Sequence, residues 1–170
     1  MKMEETTWLR HANPWSVWSR LSALPLLALA LWSRQWIGFG FVFPLAIVIF
    51  WIWLNPRLFP QPNAYDHWPA KATFGERVWL NRSNIPIPRH HERAAMLLIF
   101  LTIIGVMIMV YGLYTLKLWP MLAGMIATML SKLWFCDRMV WLYDDMRKKS
   151  AVYASWIERP GNDNDALKVT

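Results

Sequence analysis

The sequence predicts an all-α polytopic membrane protein whose four transmembrane helices form two antiparallel hairpins. Three observations lead there. The chain of 170 residues is 56% hydrophobic and 17% charged, with 13 tryptophans and 10 methionines, whereas a soluble domain carries about 25% charged residues. Two stretches, 36–54 and 94–116, contain no charged residue, and each supplies the ~20 residues that cross a hydrocarbon core of about 30 Å. Finally, each is joined through a tight turn to a further apolar run, and the cations collect on one side of the resulting topology. A chain this small has too little other material to cover such stretches in water.

The first span is predicted over 14–33. Only 13 residues separate Arg20 from Arg34, but Asn13 is a good N-cap and Pro14 suits the first helical position, so the helix takes in Arg20. That side chain then lies ~9 Å from the helix start, within snorkelling reach of the headgroups. Pro25 predicts a kink. Glu4 and Glu5 stand where a signal peptide has basic residues, and no small-residue cleavage site follows the first apolar run, so this span is expected to be retained. One cysteine, Cys136, allows no internal disulfide.

The second span, 36–54, follows a turn at Arg34 and Gln35 and is expected to stop at Asn55-Pro56. Pro44 inside it needs a neighbour to satisfy the carbonyl it frees. The third and fourth spans are predicted over 94–116 and 120–140. Gly105 and Gly112 share a face of the third, and in the fourth both Ala123, Ala127, Ser131 and Gly124, Thr128 repeat every four residues; small residues let helices approach closely, which predicts a tight pair. The last helix is expected to extend into water over 141–159, with i,i+4 pairs from Asp144 to Lys148 and Asp145 to Lys149, because nothing breaks it before Pro160-Gly161. The polar tail 160–170 is expected to be disordered.

The central loop, 55–93, has proline-rich extended ends and a predicted short interfacial helix over 68–82 that starts at Pro69 and turns Ala70, Phe74 and Val78 to one face; Gly75 argues against it. The segment up to Arg20 carries three Lys or Arg, this loop six, and the chain from Arg138 onward six, against only Arg34 and Lys117 in the two tight turns. The positive-inside rule therefore puts both termini and the loop in the cytoplasm, with the protein in the cytoplasmic (inner) membrane. The net charge of +7 follows topology and builds no nucleic-acid docking face.

Candidate chemistry gathers on that cytoplasmic side. His11, His90, His91 and Glu76 are weak catalytic candidates as bases or ligands, while Arg20, Arg77 and Arg138 are candidate anion or lipid-phosphate anchors, by the preference of guanidinium for planar oxyanions. A mononuclear set of His11, one of His90 and His91, and Glu76 or Asp137 is chemically conceivable. Adjacent histidines diverge by ~100° on a helix, however, and no metal or other cofactor is predicted. Lys132 and Asp137 lie ~18 and ~26 Å along the fourth span, where an unpaired charge is costly. Asp137 is expected to pair with Arg20 or Arg77, and Lys132 to snorkel, to meet a carboxylate folding in from the loop, or to line a polar cavity.

The segments His11-x-Asn13-Pro14-x-Ser16-x-Trp18-x-Arg20 and Trp134-x-x-Asp137-Arg138-Met139-Val140-Trp141-Leu142-Tyr143, with Phe74-Gly75-Glu76-Arg77 between them, resemble an uncharacterised family of small prokaryotic membrane proteins, a domain of unknown function. The resemblance covers most of the chain. It implies a helical membrane protein and no activity. The function expected from the residues is a non-catalytic platform for anionic lipid or for a membrane or cytoplasmic partner protein, built on the cytoplasmic side. The alternatives are an interfacial enzyme on a lipid-like substrate, with a histidine as base or metal ligand and Arg20 and Arg77 as an anion clamp, and a small transporter working as a homo-oligomer.

Overall fold

The computed structural model describes residues 12–60, 62 and 64–158, and the regular structure among them is helical. His11 and the polar tail 160–170 lie outside the described residues. Among the described residues, three stretches are long and apolar enough to cross a membrane: Pro14–Asn55, Arg89–Thr115 and Leu118–Arg147.

The first stretch is a chain of short helices: α1 (Pro14–Leu21), α2 (Ala23–Trp32), α3 (Arg34–Ile37), a 3-10 turn over Gly38–Phe41, and α4 (Val42–Leu58). Asn13 caps α1 by accepting from the Trp15 amide at 2.9 Å, with Pro14 in the first turn. The break at Ser22 sits just ahead of Pro25, whose ring crowds the carbonyl of Leu21 four residues back. Gly38 takes a positive φ of 55°, and the chain reverses there. The reversal is closed at its far end, where the Asn55 amide donates to Ser19 Oγ at 2.6 Å and Ser16 Oγ donates to Asn55 Oδ1 at 3.4 Å. Two expectations are corrected here. Pro44 falls in the first turn of α4, where its missing N–H costs no helical bond, and α4 runs through Asn55-Pro56 to Leu58. Asn55 is fully buried and held by the two serines, and one proline near a helix end forfeits a single bond.

Residues 68–80 form α5 (Trp68–Leu80), capped by His67 Nδ1 accepting from the Ala70 amide at 3.2 Å. Its Ala70, Phe74 and Val78 face is wholly buried. Gly75, which argued against a helix, lies against the backbone of α7 (Leu118–Arg147): a Cβ there would overlap the carbonyl of Met139. The glycine gives up helix propensity for close approach.

α6 (Arg89–Thr115) starts behind Pro88 and packs on α7 in the most extensive helix contact of the fold. Gly105 lies on Thr128 and Gly124, Gly124 on Met109, and Gly112 on Met121, so position falls along α7 as it rises along α6 and the two run antiparallel. Of the two small-residue rows in α7, Gly124 and Thr128 are buried while Ala123 is exposed. Only glycine lets a backbone amide sit where a side chain would begin. Leu116, in the left-handed region at φ 54°, ends α6, and Arg34 donates to the carbonyls of Leu113 and Tyr114. That guanidinium satisfies orphan acceptors at the helix terminus and ties the first stretch to α6.

The expected single helix to Arg159 does not form. α7 stops at Arg147, and α8 (Ala151–Glu158) folds back so that Tyr143 Oη donates to the Tyr153 carbonyl at 2.8 Å. Three successive cations, Arg147, Lys148 and Lys149, suit a helix C-terminus, and the reversal buries Tyr153 and Trp156 against Phe74 and Tyr143, with ring centroids 4.9 to 6.4 Å apart. The i,i+4 pairs expected beyond this point are replaced. Asp144 meets Arg147 at 3.1 Å and Lys71 at 3.9 Å, and Asp145 meets His91.

Candidate functional site

α1, α5 and α7 converge on a cleft of about 180 Å³ lined by Val17, Arg20, Leu21, Pro69, Ala72, Thr73, Glu76, Lys132 and Cys136. Its walls are mostly apolar, and among the described residues its charges are two cations and one carboxylate. Lys132 Nζ meets Glu76 Oε1 at 2.6 Å across 56 residues of sequence. The pair is half in the open, with side-chain exposures of 49% for Lys132 and 33% for Glu76. In water such a pair contributes little, roughly 0–1 kcal/mol; beside lipid the alternative of an unpaired ammonium makes it count for more. Arg20 is braced by its own helix, its Nε donating to the Ser16 carbonyl at 2.9 Å, and its guanidinium feels the same Glu76 charge.

The cleft is held together on one flank by a Trp18–Trp68 stack, with centroids 5.9 Å apart, and by the Trp68 indole N–H, which donates to Asp137 Oδ1 at 3.3 Å. A tryptophan of α5 is thus a partner of Asp137 that the sequence reading did not name. Arg77 points the other way and lies over the Trp156 ring at 4.3 Å, while Arg138 lies over Trp141 at 5.0 Å. The anion clamp of Arg20 with Arg77 is therefore not what the cleft presents; Lys132 takes the second position.

The remaining candidates form a separate cluster. His90 and His91 open α6, and His91 Nε2 shares a hydrogen bond of 2.9 Å with Asp145 of α7. Neither histidine lines the cleft. Glu76 and Asp137 do not join them among the described residues, where the one metal-sized group of ligand side chains is His90, His91 and Asp145. In sequence Asp145 is only a surface ion-pair partner for Lys149, because its approach to His91 depends on the register of α6 against α7.

Outside the three long apolar stretches, Asp66 is held below the usual carboxylate range by the Lys71 ammonium hydrogen-bonded to it at 2.7 Å, and burial pushes the Tyr65 phenol up.

No curated protein and no solved structure matches the chain. A family model does, over residues 1–159, and so takes in the Asn13-Pro14 helix start, the Phe74-Gly75-Glu76-Arg77 segment of α5 and the Asp137-Arg138 stretch of α7 that build the cleft. With that match spanning nearly its whole length, the chain belongs to the family of unknown function DUF6653.

Proposed function

We propose that the protein crosses the cytoplasmic membrane four times, with both termini and the 55–93 segment in the cytoplasm, and that its cleft seats the phosphate of an anionic lipid without catalysing its conversion. The reversal at Gly38 and the clasp of Asn55 on Ser16 and Ser19 support reading the 42-residue first stretch as two crossings, since a straight helix of that length would reach ~63 Å, twice a bilayer core. The lopsided Lys and Arg distribution supports the orientation.

The observation that carries the lipid reading is the convergence of Arg20 and Lys132 on one carboxylate in an apolar-walled notch. A phosphodiester headgroup brings an anion to these two cations, and the apolar wall of Val17, Leu21 and Ala72 receives the start of its acyl chains. Each Lys or Arg near an anionic surface contributes about 1 kcal/mol, a factor of roughly five in occupancy. Lipid retained by the purified protein, extracted and quantified against bulk membrane, is expected to be enriched in anionic phospholipid. Lys132→Met should reduce the enrichment about fivefold and Lys132→Met with Arg20→Gln by considerably more. Equal retention of zwitterionic and anionic lipid by the wild-type protein would overturn the reading.

A further inference from the structure

We infer that His90, His91 and Asp145 form a binding site for a divalent transition-metal ion, zinc or ferrous iron by ligand type, which joins the start of α6 to the end of α7. The inference is independent of the lipid cleft and revises the expectation of no cofactor.

One ligand atom from each of the three residues lies within 4.8 Å of the other two. Tetrahedral coordination at about 2.0–2.1 Å places ligand atoms ~3.3 Å apart, so the His91–Asp145 edge at 2.9 Å is already at that spacing, and the longest edge closes by side-chain rotation. The freedom for that rotation is at hand, because His90 is exposed. His91 is the fixed member: it is only 4% exposed, backed by the α6–α7 contact, and aimed at a carboxylate on the neighbouring helix.

Two adjacent histidines on a helix ought to diverge. Here they sit in the first turn of α6, directly behind Pro88, and their ring centroids are 4.1 Å apart. A hydrogen-bonded clip between the helices needs only His91 and Asp145. The second imidazole folded against the first adds a nitrogen donor that the clip does not use. Two imidazoles and one carboxylate are a set that suits zinc or ferrous iron, and three protein ligands leave a further position for water or an anionic oxygen.

The test uses the full-length protein in detergent, stripped with chelator and titrated with cobalt(II) as a spectroscopic stand-in for zinc, with zinc competition and metal analysis of the dialysed protein. One equivalent of saturable cobalt, displaced by zinc and showing ligand-field bands of a nitrogen- and oxygen-coordinated site, is the expected result. His90→Ala should weaken binding at least tenfold. Because His90 is exposed, that variant leaves the buried contact in place, and Asp145→Asn, which keeps the shape and an acceptor, should do the same. Absence of saturable binding, or binding that both substitutions leave unchanged, would overturn the site.

Discussion

The seam between α6 and α7 and the cap formed by α5, the end of α7 and α8 are built by opposite rules. The seam is made of what is missing: Gly105, Gly112 and Gly124 bring backbone onto backbone, while Leu97, Phe100, Ile103, Met107 and Ile126 point outward. The cap is made of bulk, with Phe74, Met139, Leu142, Tyr143 and Tyr153 almost wholly buried. Lipid offers a large apolar side chain the same surroundings that a neighbouring helix would, so close approach decides how helices pair there. Water does not, so the cap gathers aromatic residues as a soluble core does. On the proposed four-crossing topology, the change of rule along one helix, α7, marks where lipid gives way to water.

The largest effect should come from the cap. Phe74→Ala removes a ring that touches Tyr65, Tyr143 and Trp156 and is expected to cost about 3–5 kcal/mol, read as a loss of α8 protection in hydrogen exchange together with lowered resistance to denaturant. A cost below ~1 kcal/mol would mean that the cap is not a packed core.

Next comes the seam. Gly124→Leu drives a side chain into the Met109 backbone and is expected to cost about 3 kcal/mol, measured by thermal unfolding in detergent. The comparison sharpens with Ala123→Leu, one residue away on the exposed row, which should change stability by less than ~0.5 kcal/mol. If the two substitutions were equally harmful, the seam would not follow the Gly124 and Thr128 row.

The smallest effect lies outside both regions. Asp66 titrates below its unfolded value because of Lys71, so its contribution to stability is present above the unfolded carboxylate pKa of about 3.9 and is lost as pH falls through the lower folded value. The stability difference between wild type and Asp66→Asn should therefore be constant near neutrality and vanish on acidification; a difference that persists in acid would assign it to something other than this pair.

The apolar helices, the Asn13-Pro14 start of the first and the aromatic face of α5 were legible in the sequence because each depends on residues a few positions apart. Asn13, Pro14, Ala70, Phe74 and Val78 are where the local pattern put them. What escaped depends on contacts between distant segments. Gly75 reads as a helix breaker until Met139 is seen beside it. The Gly124 and Thr128 row of α7 is indistinguishable from the Ala123, Ala127 and Ser131 row until α6 is laid on it. The turn at 148–150 carries no glycine or proline and exists because Tyr153 and Trp156 have an aromatic core to join. The site divides the same way: a carboxylate from the loop was among the partners foreseen for Lys132, but its identity as Glu76, the indole that meets Asp137 and the approach of Asp145 to His91 all required the packing of α5 and α6 on α7.

The central claim is that lipid surrounds four crossings and that the cap and cleft stand on the inner side. Topology reporters placed after Gly38, Ser83, Leu116 and Thr170 test it most directly. The account predicts that the fusions at Gly38 and Leu116 report the outer side and those at Ser83 and Thr170 the cytoplasm. A cytoplasmic signal from Gly38, or an outer one from Ser83 or Thr170, would contradict it.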